Sequence, residues 1–95
     1  MRLTDFPSNR VVYTTKFVAL KQEEITYVSL DEEGDLQVLG RNGPDIKNAM
    51  LVSLKQIITI DETILKIANI EIGQAYERDN TGSSWKLLHP TSKSG

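Results

Sequence analysis

Between residues 11 and 39 the chain carries three short runs dense in β-branched and aromatic side chains, each closed by a polar or glycine-bearing break. That rhythm restricts it to a fold built around a β-sheet. In residues 11–18 the odd positions Val11, Tyr13, Thr15 and Phe17 repeat with period two, which predicts a first strand with those residues on its apolar face. Residues 24–30 are apolar at both parities, as expected of a central strand covered on both sides. Residues 35–39 give a third strand after the Asp31-Glu32-Glu33-Gly34 turn, where glycine supplies a positive φ without steric cost. Three consecutive strands joined by short turns predict an antiparallel meander.

After Arg41-Asn42-Gly43-Pro44 the period changes. A short extended piece at Met50-Leu51-Val52 runs into Ser53-Leu54-Lys55-Gln56, a serine-to-glutamine capping box that opens a helix with Leu54, Ile57 and Ile58 on one stripe. Asp61 followed by Glu62 repeats the device, and Ile64, Ile67 and Ala68 share the next buried side. Residues 74–78 and 84–88, separated by a polar glycine-containing turn, predict a C-terminal hairpin. The expected fold is therefore α+β: an antiparallel sheet of about five strands, an N-terminal meander plus a C-terminal hairpin, covered on one face by one or two short helices. Ninety-five residues hold one core, so a single domain spans 1–95, with an ordered core of about 10–88 and a flexible tail over 89–95.

Charge is distributed unevenly along this domain. Residues 1–21 sum to +3, residues 22–40 to −6 with no basic side chain, and residues 41–95 to +1. A phosphate backbone is repelled by the middle segment, so no nucleic-acid partner is expected. The same segment, through Glu23, Glu24, Asp31, Glu32, Glu33 and Asp35, offers a binding surface for a basic protein partner, because opposite charge accelerates and orients encounter. No apolar stretch follows the N-terminal arginine and none reaches the ~18 residues of a membrane span, so the chain is expected to be cytoplasmic, without a membrane partner. The absence of cysteine is compatible with a reducing compartment and excludes disulfide staples, thiolate metal sites and cysteine nucleophiles.

Catalytic chemistry finds few materials here. The single histidine, His89, lies beside Pro90 in the expected tail, where a catalytic base would not be held in place. The acidic turn lacks calcium-loop spacing: Gly34 is fourth from Asp31, and the twelfth position is Asn42 in place of a glutamate. Residues 40–44 contain two glycines but neither phosphate-cradling pattern. Tyr27, Tyr76 and Trp85 stand in strands where packing is the commoner use of an aromatic. Neither a catalytic group, nor a metal, nor a cofactor is expected.

The order Tyr27-Val28-Ser29, Asp31, residues 34–40, residues 52–58, Asp61, Ile64-Leu65 and residues 73–78 resembles an uncharacterised family of small bacterial proteins, some of which are described as immunity proteins of polymorphic toxin systems. The likeness spans about residues 11–85 and consists of fold-bearing positions. Where the family pattern has aromatics in the third strand, this chain has Leu36 and Val38. The resemblance implies a non-catalytic protein-binding module of immunity type. The alternative is a self-associating structural or regulatory domain, a homodimer through the face marked by Thr26, Val28, Leu30 and Leu39 or through an edge strand.

Overall fold

A computed structural model describes residues 1–88, so the expected tail over 89–95, with His89, lies outside the described residues. The fold is α+β. Six strands, β1 (Val11–Thr15), β2 (Tyr27–Leu30), β3 (Leu36–Leu39), β4 (Ala49–Ser53), β5 (Gln74–Glu77) and β6 (Lys86–Leu88), form one sheet in the order β4-β1-β3-β2-β5-β6. Two helices, α1 (Lys16–Ala19) and α2 (Leu54–Ile60), and three short 3-10 turns complete it.

The hairpin β2–β3 pairs antiparallel with Val28 opposite Val38 and Leu30 opposite Leu36, as the turn chemistry predicts. The C-terminal hairpin β5–β6 also forms, with Tyr76 opposite Leu87. The first strand of the expected meander pairs differently. β1 does not neighbour β2; it runs parallel to β3, with Val12 opposite Leu36, and antiparallel to β4 on its other side. The extended piece around Met50 thereby becomes the sixth strand and an edge of the sheet.

The facing of β1 is likewise the reverse of that expected from residues 11–18. Val12 and Thr14 are buried, whereas Val11 and Tyr13 are exposed. The reason is local: Thr15 accepts a hydrogen bond from the Val18 amide at 3.4 Å and caps α1, so the chain leaves the strand at Lys16 and the period-two pattern across that point is accidental.

The core lies between the sheet and its helical cover. Val12, Val28, Leu30, Leu36 and Val38 from the strands meet Leu54 and Ile57 of α2, Ile64 of the Glu62–Lys66 turn, and Ile67 and Ile70 beyond it. Leu3 and Val18 also enter this cluster. Each fully buried aliphatic side chain contributes about 1.5–3 kcal/mol, which holds a helical cover whose isoleucines are poor helix formers. Ser53 accepts from the Gln56 amide at 3.1 Å and Asp61 from the Thr63 amide at 2.9 Å, so both expected caps are in place.

Candidate functional site

The six expected partner-binding carboxylates do not form one patch. Four of them occupy the β2–β3 turn, where Asp31 is part of the backbone architecture: its Oδ1 accepts from the Glu33 and Asp35 amides, each at 2.9 Å. Gly34 follows at φ +85°, and its amide donates to the Asp31 carbonyl at 2.9 Å. Arg10 donates a guanidinium hydrogen bond to the Gly34 carbonyl, anchoring the tip from the start of β1. Asp35 is half-buried, and Glu32 and Glu33 project from the tip as exposed side chains.

Glu23 and Glu24 stand at the other end of β2, separated from the tip by the strand's four residues, about 13 Å of extended chain. The chain reaches them through Gln22, which adopts φ +60° where α1 ends, and the Glu23 amide donates to the Phe17 carbonyl at 2.9 Å. Glu23 Oε2 accepts from the backbone amide and the side-chain amide of Asn42, at 3.0 and 2.7 Å. Glu23 Oε1 is buried and has no hydrogen-bond partner among the described residues. The side chain lies across Gly40, where an added Cβ would come within 2.5 Å of its carboxyl carbon, so glycine is what lets Glu23 bridge to the Asn42 loop. Glu24 is exposed.

Arg78 and Trp85 form a node that the sequence does not announce. The Arg78 side chain is 0% exposed and its guanidinium meets the Asp61 carboxylate at 2.8 Å. Its Nε donates to the Ile25 carbonyl at 2.9 Å and another of its nitrogens to Thr63 Oγ1 at 2.8 Å. The Trp85 ring covers the guanidinium at 4.1 Å from the ring centroid, and its indole N–H donates to the Thr63 carbonyl at 3.2 Å. Asp61 serves twice, capping the 3-10 turn and neutralising the arginine. The cap is legible in the sequence, but the ion pair is not, because Asp61 and Arg78 meet only when β5 is placed beside β2. Chemically this node ties the helical cover to the sheet; every polar contact it makes is internal.

The Glu71 carboxyl is displaced from its ordinary range. Glu71 is held below it, first by a hydrogen bond from the N-terminal ammonium, then by its Asn69 neighbour and by the ammonium charge. The ammonium lies 2.9 Å from the Glu71 carboxylate. Among the described residues no group of three or more His, Cys, Asp or Glu side chains is arranged to hold a metal ion, and no helix is long and apolar enough to cross a membrane.

Compared with known proteins, the chain matches no protein-family model, no curated protein and no solved structure.

Proposed function

We propose that the protein is a small non-catalytic protein-binding module, acting in the cytoplasm in the manner of an immunity protein, whose acidic β2–β3 turn engages a basic protein rather than a nucleic acid. The observation that carries this reading is the division of labour at the turn: Asp31 folds it, and Glu32 and Glu33 are left exposed at its tip. A rigid, acidic projection of this kind favours fast, oriented encounter with positive charge. The engagement of Arg78, Asp61 and Thr63 in internal bonds supports a structural rather than a catalytic use of the buried polar groups.

The test is capture of partner at low salt by the wild-type protein and by the Glu32→Lys/Glu33→Lys variant. Loss of capture with an unchanged melting curve is the expected result; unchanged capture overturns the reading. Asp31 is left intact because its replacement would unfold the turn.

A second reading, self-association, rests on an edge strand, one of the two surfaces that the sequence offers. Thr26, Val28, Leu30 and Leu39 are buried within the chain itself and offer no dimer face. The edge strand β4 is uncharged, and Leu51, 61% exposed, stands opposite Tyr13, 43% exposed, on the sheet face away from the helices. Uncharged edges are the usual route to pairing between copies. Sedimentation decides it: a dimer that Leu51→Lys converts to monomer supports this reading, and a monomeric wild-type protein ends it.

A further inference from the structure

Resting on the basic-partner reading, we infer that the cleft between the end of α1 and the end of α2 receives an arginine side chain of that partner. The cleft is open to solvent on one side and measures about 660 Å³, within the range of ~300–1,000 Å³ typical of ligand sites. Val18, Leu20, Ile25 and Ile60 give it apolar walls, and the acidic residues Glu23, Glu24 and Asp61 also line it. None of the described residues that line it is basic.

The three carboxylates are not equivalent. Asp61 is neutralised by Arg78 at 2.8 Å and contributes no free charge. Glu23 is turned toward the Asn42 loop: its Oε2 accepts from both Asn42 amides and its Oε1 is buried, so its oxygens are engaged within the chain. Glu24 is exposed and belongs to none of the ion pairs among the described residues. The exposed Glu24 carboxylate beside an apolar wall fits a cation carried on a methylene stem, which lays its carbons on Leu20 and Ile60 and brings its charge to the rim. Arginine suits the place better than lysine, because its guanidinium is weakly hydrated and its planar fork can serve a carboxylate and a threonine hydroxyl together. Thr59 offers such a hydroxyl: it donates to the Lys55 carbonyl at 2.9 Å, which leaves its oxygen free to accept.

The probe is an acetylated, amidated tri-arginine peptide, titrated into the full ¹⁵N-labelled chain with amide shifts as the readout and the tri-citrulline peptide as the neutral control. The expected result is saturable shifts at residues 18–25 and 59–63 with the arginine peptide alone. Binding should weaken by about threefold to fivefold in Glu24→Gln, the worth of one partly exposed ion pair, and persist in Glu32→Lys/Glu33→Lys. Glu62→Gln, which alters an exposed acidic residue that does not line the cleft, should leave the affinity as it is. Shifts confined to residues 31–35 overturn the cleft and leave the acidic tip standing. Equal shifts with citrulline, equal loss in Glu62→Gln, or no saturable shift also overturn it, and the capture experiment with the tip variant judges the parent reading separately.

Discussion

Arg78 shows how one side chain can decide the standing of several elements. Its guanidinium reaches the Ile25 carbonyl before β2, Asp61 and Thr63 at the start of the Glu62–Lys66 turn, and the face of Trp85 before β6. Truncating Arg78 to alanine leaves the Asp61 carboxylate, only 13% exposed, without its counter-charge and the Ile25 carbonyl without a donor. Arg78→Ala should therefore cost about 3–5 kcal/mol, measured by urea denaturation. A loss under 1 kcal/mol would mean that water replaces the pair. Gln22 makes the opposite case, since a side chain at φ +60° costs about 1–2 kcal/mol that glycine does not incur. Set against glycine's greater freedom in the unfolded chain, Gln22→Gly should raise stability by roughly 0.5–1 kcal/mol in the same assay. Neither residue is conspicuous in the sequence. Arg78 is one basic residue among several in the second half of the chain, and only the meeting of β5 with the Asp61 turn makes it a core residue.

Elements formed where capping and turn chemistry could be read directly, and departed where two patterns competed. Ser53 and Asp61 cap their turns as their positions predict, because a side-chain oxygen three or two residues before an orphan amide is a purely local contact. Ser53→Ala should lower stability by about 1 kcal/mol, seen as a shift of the thermal midpoint, while Ser53→Asp should retain most of it. In residues 11–18 the local signals conflict. Period two suggested one continuous strand, whereas Thr15 is also an N-cap, and the cap wins because it brings Val18 into the core. The acidic segment suffers a similar division. Glu23 and Glu24 flank the cleft beside α1 and the other four carboxylates build the far turn, because β2 runs between them. A charge run in one dimension becomes two separate surfaces in three.

Across the whole molecule, the N-terminus is held against the connection leading into β5: the Ile70 amide donates to the Met1 carbonyl at 2.8 Å, and the ammonium pairs with Glu71. The folded state thus lowers the pKa of Glu71. The resulting stabilisation is complete above the pH at which the unfolded carboxyl ionises, and it is lost as pH falls through the lower folded value. Carboxyl-carbon NMR should show Glu71 titrating below the ordinary glutamate range, and acetylating the N-terminus should return it to that range. If Glu71 titrates in the ordinary range in both forms, the contact is absent in solution. At this scale the sequence by itself determined the α+β class, both hairpins, the two caps and the core aliphatics Leu54, Ile57, Ile64 and Ile67 of the helical cover, because each follows from contacts a few residues apart or from solvation of a single side chain. Only the tertiary structure decided that β3 lies between β1 and β2, that β4 closes one edge, that Arg78 is buried and that the acidic run is split. Those outcomes depend on which distant segments bury the most apolar surface together while pairing their backbone groups. That competition involves the whole chain at once, and no local pattern expresses it.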